Sequence, residues 1–446
     1  MYHSHDALDR SGGFARARLI SPLAHRDFRV LWMGMTASMI GDGVFLVAMA
    51  WETYLLWNAP VALSVVAIGM TVPTVVFLLA GGVVSDRYDR RRVMFCADVV
   101  RAVAVGAVAA LALSGTLRFW ELVTLVAIYG SGTAFFTPAF EAIVPDLVPK
   151  ADLAAANSLD QLVRPIALRL AGPLFGGALV ALNPGLAFSV DAASFGASAI
   201  AVLLVRPRLS TREGKVVESS FAAVKEGLSF VRQRVWLWGT LAAAAVSYLI
   251  FLGPTEVLLP YVVKNNLHGS ADALGAVFAA GGVGAIGAAI WVGQRGHPRR
   301  DVTVMYVTWT LATLAIAGYG IATAVWQLML ACLVFNAFEA AGTIVWATIK
   351  QHHVPGGMLG RVSSLDWLIS IGLVPISLAL TAPVVAVVGV GATLVGAALI
   401  GSAVTFAALF LRGMRDIERD RGERRKGNEE TVPTRTRRRA TATAAN

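Results

Sequence analysis

Two carboxylates in this chain stand where water should not reach. Asp42 lies in an apolar run that opens at Leu31, about 16 Å along a helix at roughly 1.5 Å per residue. Glu339 sits at a similar depth in a later run, with Asn336 one turn away on the same helical face. A charge held in hydrocarbon costs on the order of 2.5–3.5 kcal/mol on insertion scales, so side chains of this kind mark substrate pathways or proton relays. The chemistry on offer is proton exchange or substrate binding. The competing role is that of a structural acid hydrogen-bonded to a neighbouring helix. Glu52, Asp191 and Glu256 form a second tier, placed toward the ends of their runs, where interfacial positions are expected.

A denser charged cluster follows the second apolar run. Residues 81–93 read GGVVSDRYDRRRV, with Asp86, Arg87, Asp89, Arg90, Arg91 and Arg92 in quick succession. Such a loop anchors topology, because arginines stay on the cytoplasmic side. Its alternation of acids and bases adds a capacity for ion pairing, and the tandem Gly81-Gly82 permits close helix approach. Asp98 with Arg101, and Asp160 with Arg164, have the spacing of ion pairs on a helix.

Only a membrane can position these residues. The chain has 446 residues, 56% of them hydrophobic and 15% charged, against roughly 25% charged in soluble domains. That composition cannot cover a core of this size with polar surface. A spanning helix needs about 20 mostly apolar residues. Twelve runs qualify: 31–56, 61–84, 93–113, 120–143, 161–182, 186–205, 235–259, 272–295, 302–322, 325–349, 364–388 and 390–411. Backbone groups in lipid must be satisfied within the segment, so the expected class is an all-α integral membrane protein. With the N-terminus in the cytoplasm, the opposite links hold only Arg118 and Lys264 of the 38 Lys and Arg residues. Both termini are therefore expected in the cytoplasm of a multi-pass protein of the plasma (inner) membrane.

The net charge of +10 belongs to loops and a tail facing anionic lipid, so no nucleic-acid partner is expected. Cys96 and Cys332 lie in apolar runs, with neither a disulfide framework nor metal-ligand spacing. No cofactor is implied, and residues 1–30 lack the pattern of a cleavable signal peptide. The expected organisation is a cytoplasmic segment 1–30, a six-helix bundle 31–205, a linker 206–234, a second bundle 235–411 and a disordered basic tail 412–446. Within the linker, Phe221, Val224, Leu228 and Val231 recur at the spacing of an amphipathic surface helix. The halves repeat each other. Residues 148–162, VPKADLAAANSLDQL, and 354–368, VPGGMLGRVSSLDWL, share V-P-x-x-x-L-x-x-x-x-S-L-D-x-L. Parallel repeats of this sort belong to secondary transporters, with the solute handled between pseudo-symmetric halves.

On these residues the chain resembles the major facilitator superfamily. Gly82-x-x-x-Asp86-Arg87-x-x-Arg90-Arg91 is similar to its G-x-x-x-D-R-x-G-R-R loop signature, with Asp89 where that signature has glycine. The resemblance implies twelve helices in two six-helix bundles. It also implies that Asp86 meets the N-terminal end of span eleven near Ser363, Ser364 and Asp366, a setting that favours a carboxylate. The cluster would then be a cytoplasmic latch, with Asp366 competing for its arginines. Gly172-Pro173-Leu174-Phe175-Gly176-Gly177 resembles the end of the antiporter signature, G-P-x-x-G-G. With Gly41-Asp42-Gly43, Gly360-Arg361-Val362 and residues 189–195, it is similar to the twelve-helix drug:proton antiporters, in the branch of macrolide, tetracycline and enterobactin exporters. The arginine that many of them carry in span four has no counterpart in Ile128–Thr133. The resembled fold has spans one, four, seven and ten lining its cavity.

The expected function is proton-coupled efflux of a small amphipathic, drug-like compound by alternating access, performed by a monomer with protons and the solute as partners. The alternatives are a dedicated natural-product or siderophore exporter and a non-transporting receptor or assembly partner. H-E-x-x-H, G-x-S-x-G and P-loop patterns are absent from the sequence, so no enzyme and no ATP-driven pump is expected.

Overall fold

The computed structural model describes residues 20–149, 152–206, 220–295, 298 and 300–418. Among them are twelve helices long and apolar enough to cross a membrane. Spans one to four are Arg26–Leu56, Pro60–Arg87, Arg90–Leu113 and Phe119–Leu147. Span five is built from Leu153–Pro165, a π-helical turn at Ile166–Ala171 and Gly172–Leu182. Span six is Pro184–Leu204, and span seven is Val235–Tyr261 continued by a π-helical turn at Val262–Asn266. Span eight is Ala271–Arg295, and span nine joins Asp301–Ala315 to Ala317–Ile321. Span ten is Val325–His353, span eleven is broken into Gly356–Gly372 and Val374–Val388, and span twelve is Val390–Ala408.

Local chemistry sets the helix ends. Pro60 and Pro184 open spans two and six, where a missing N–H costs nothing. Asn183 caps span six by accepting from the Gly185 amide at 2.8 Å. Asp89 caps span three in the same way, accepting from the Arg91 amide at 2.9 Å. That gives a physical reason for an acid at a position where the resembled signature has glycine.

Packing divides the molecule lengthwise. We call the end that carries Arg90–Arg92 the basic end. At the opposite end one hydrophobic core runs through both halves, from Val44, Val105 and Phe188 to Val257, Leu274 and Leu394. At the basic end each half has a separate core, one around Phe28, Met94 and Phe140 and another around Leu237, Tyr306 and Trp346. Hydrogen bonds tie the halves together where the core is shared: Tyr54 Oη donates to Val257 O at 2.6 Å, Lys264 Nζ to Tyr54 O at 2.6 Å, and Asn58 Nδ2 to Asn265 Oδ1 at 2.6 Å. Span eight approaches span five closely at Gly275 and Gly282, whereas a Cβ at Gly293, on the same helical face nearer the basic end, would meet nothing within 4 Å. The halves are closed at one end and diverge toward the other.

A helix at Ser220–Arg232 docks its last turns on the second half. Val231 is buried in that core, Leu228 is exposed, and Glu226 pairs with Arg361 of span eleven. The side chains of Phe221 and Val224 lie outside the described residues. Residues 412–418, expected to begin a disordered tail, are folded. Met414 is fully buried, and Glu418 accepts from the Thr303 amide at 2.7 Å and its hydroxyl at 2.9 Å. The rest of the expected tail lies outside the described residues.

Candidate functional site

Spans one, three, four and six of the first half converge on a set of acids. Asp42 Oδ1 accepts from Tyr129 Oη at 2.8 Å. Asp191 of span six is fully buried, and its Oδ1 lies where a Cβ on Gly41 would come within 2.5 Å. Ser194 Oγ donates to Asp191 O at 2.7 Å, and Asp191 Oδ2 has no hydrogen-bond partner among the described residues. The expected interfacial place for Asp191 is therefore corrected. It sits two turns, about 10 Å, inside span six, and Gly41 lets span one close over it.

Asp98 and Arg101 form the expected ion pair, with both side chains buried. The Arg101 guanidinium lies 4.2 Å from the Phe136 ring centroid and 4.3 Å from that of Phe195, in reach of cation–π attraction. Gly132 makes room for it, since a Cβ there would come within 2.8 Å of Arg101 Cγ. Span four, which has no arginine of its own at Ile128–Thr133, receives one from span three. Asp42, Asp98 and Asp191 thus share a single buried guanidinium among the described residues.

A cavity of about 280 Å³ lies between the halves. Its wall comes from spans one, two, five, seven, eight, nine and ten. Span four contributes no lining residue, contrary to expectation, because at this depth it packs behind span two. Arg169, on the π-helical turn of span five, projects into the cavity and donates to Asn336 Oδ1 at 2.9 Å, with Glu339 Oε2 at 3.9 Å. Glu339 Oε1 also accepts from Thr343 Oγ1 at 3.0 Å. The structure therefore brings Asn336 and Glu339 together, around an arginine of the other half, and leaves Asp42 in a separate cluster. Water reaches this interface pair: 51% of the Arg169 side chain and 27% of the Glu339 side chain are accessible. Glu256 of span seven is exposed in the cavity wall. Glu52 is buried at the closed end, facing Lys264.

Both sequence motifs contain glycines at close helix contacts. A Cβ at Gly81 would lie 3.1 Å from Phe135 Cα, so this glycine carries the close approach of spans two and four; at Gly82 a Cβ would meet nothing within 4 Å. Arg90 donates to Ala142 O and to Asp146 Oδ2, each at 2.6 Å. Arg91 binds Val202 O at 3.3 Å and Leu203 O at 2.9 Å, capping the C-terminal end of span six. Arg87 is exposed, and the Asp86 side chain lies outside the described residues. Asp366 accepts from Trp346 Nε1 at 2.9 Å and Lys350 Nζ at 2.5 Å, both on span ten. The G-P-x-x-G-G motif faces two ways. Gly172 and Gly176 touch span one at Gly43 and Val44 too closely for a larger side chain, while Gly177 packs tightly on span eight at Ala271 and Gly275. Pro173 lines the cavity.

Outside the spans, Asp152 ties the entry of span five to the N-terminal turn. His25 Nε2 lies 3.0 Å from its Oδ2, and Ser21 Oγ donates to its Oδ1 at 2.8 Å. These hydrogen bonds, that of His25 foremost, hold its carboxyl below the usual carboxylate range.

Arg169 is the residue that sequence reasoning missed. Its signal was available, a cation inside an apolar run three residues before Gly172-Pro173. Its place on a π-helical turn, a distortion frequent at functional sites, was not.

A family model described as transmembrane secretion effector matches residues 17–439. Macrolide efflux protein A of Streptococcus pyogenes is 23% identical over 360 residues, covering 80% of this chain and 88% of that protein. The multidrug efflux pump Tap of Mycolicibacterium fortuitum is 26% identical over 404 residues, covering 87% and 96%. The enterobactin exporter EntS of Citrobacter koseri is 27% identical over 350 residues, covering 76% and 81%. Among solved structures, a bacterial homologue of the iron transporter ferroportin in an inward-facing state superposes with a TM-score of 0.62 at 16% identity, covering 86% of this chain and 98% of the other. The nucleoside transporter NupG superposes with a TM-score of 0.60 at 11% identity, covering 84% and 98%. These two likenesses establish the fold.

Proposed function

The chain belongs to the transmembrane secretion effector family of the major facilitator superfamily, a secondary transporter of the plasma membrane, and from that premise we propose that it exports a small amphipathic compound in exchange for protons. The observation that carries the coupling is the excess of buried acid in the first half. Arg101 neutralises one carboxylate, which leaves Asp42 and Asp191 side by side on neighbouring spans. Binding a proton relieves their mutual repulsion, and release follows when the cluster meets water of the other compartment. The solute occupies the cavity between the halves.

The asymmetry of Lys and Arg supports a cytoplasmic basic end. The structure then diverges toward the cytoplasm, the facing in which an exporter loads. Efflux of a fluorescent amphipathic dye from cells lacking their own exporters tests this reading. Efflux should collapse with an uncoupler and with Asp42→Asn. Pumping that ignores the uncoupler, or that survives Asp42→Asn at full rate against a gradient, would refute proton coupling.

A further inference from the structure

The cavity contains one carboxylate without an answer. Glu256 is exposed in its wall, and among the described residues no cation and no hydrogen-bond donor reaches it. Three other acids within the spans have side-chain partners: Asp42 has Tyr129, Asp98 has Arg101, and Glu339 has Arg169 and Thr343. The cavity's own cation, Arg169, is held by Asn336 and faces Glu339, so its charge is already compensated within the protein. What remains in the cavity wall is a carboxylate on span seven with no partner among the described residues. The surrounding wall is apolar and aromatic, with Phe278, Tyr319 and Phe335 among its members. Aromatic faces attract cations, most strongly where water is scarce. A carboxylate kept at membrane depth without a protein counter-ion is costly, and a positively charged ligand removes that cost.

We propose that Glu256 is the recognition group for the positive head of the solute, which makes an amphipathic organic cation the substrate class of this cavity. The assignment rests on the transporter reading above and adds the charge of the cargo to it. Glu256 binds the head electrostatically, the aromatic wall covers its apolar body, and the buried acids of the first half remain free for the proton. Cation binding and proton binding are thereby housed on different halves.

Tetraphenylphosphonium and tetraphenylborate, matched in shape and opposite in charge, provide the test. Their binding to the full chain in nanodiscs of uncharged lipid is measured by equilibrium dialysis. The phosphonium should bind about tenfold or more tighter than the borate, since burying an unmatched charge is penalised heavily. Glu256→Gln should erase this preference, while Glu256→Asp, which keeps the charge, should retain most of it. Equal binding of the two ions by the unmodified chain would overturn the proposal even if neither variant folds, and so would a preference untouched by Glu256→Gln. A charge preference without uncoupler-sensitive efflux would leave the cation site standing and refute the coupling.

Discussion

The two polar regions of this molecule are built on opposite principles. The acid cluster of the first half draws all its members from spans one, three, four and six, and its cation is sealed between Phe136 and Phe195. The interface cluster joins Arg169 of span five to Asn336 and Glu339 of span ten, across the line on which the halves separate, and it is open to water. A cluster inside one half keeps its contacts when the halves rock. A cluster between them cannot. Under the proposed proton exchange, the first would hold a proton through the transport cycle and the second would favour one facing over another.

The sharpest way to break this contrast is Arg101→Ala, which leaves Asp98 buried without its partner. Removing one member of a buried pair costs about 3–5 kcal/mol, so the variant should lose most of its folded fraction in a thermal melt in detergent. Melting with the unmodified chain would mean that the pair is not sealed. Next comes the closed end, where Tyr54→Phe removes the hydrogen bond that Val257 O accepts across the halves. A loss of about 0.5–1.5 kcal/mol is expected there, read as increased labelling of a cysteine placed at the closed end.

Arg169→Gln should act more weakly, because accessible ion pairs are worth roughly 1 kcal/mol or less. It should shift the distribution between facings, measured by spin-label distances across the halves, while the melting temperature stays close to that of the unmodified chain. The smallest effect concerns Asp152. Its carboxyl is held low by His25 and Ser21, so the tie contributes above the ordinary carboxylate range and is lost as pH falls through the depressed value. Hydrogen exchange at Ser21–Ala24 should quicken on acidification, and Asp152→Asn should quicken it at neutral pH as well.

Much of the architecture was legible in the composition. Twelve apolar runs, the basic link after span two and the repeated V-P-x-x-x-L pattern carry the fold, because lipid permits few alternatives to a helix of that length. Asp42 and Glu339 were legible for the same reason, as charges where hydrocarbon was expected. Their neighbours were not. Asp191 is buried because Gly41 allows span one to cross it, and the identity of a facing helix is not written in local spacing. Arg101 serves span four from span three, through the gap at Gly132. Arg169 reaches span ten because a π-helical turn re-aims span five, and periodicity alone assumes a regular helix. The motif glycines were read as close-packing positions; which one packs, Gly81 and not Gly82, depended on helix rotation.

The most direct test of the division between a proton-holding half and a switching interface is transport in proteoliposomes under an imposed pH gradient, comparing Asp42→Asn combined with Asp191→Asn against Arg169→Gln. The expected result is that the double variant still exchanges solute downhill but no longer concentrates it when the pH gradient is applied, whereas Arg169→Gln keeps the response at an altered rate. Undiminished pH-driven accumulation by the double variant would contradict the assignment of the proton to the first half.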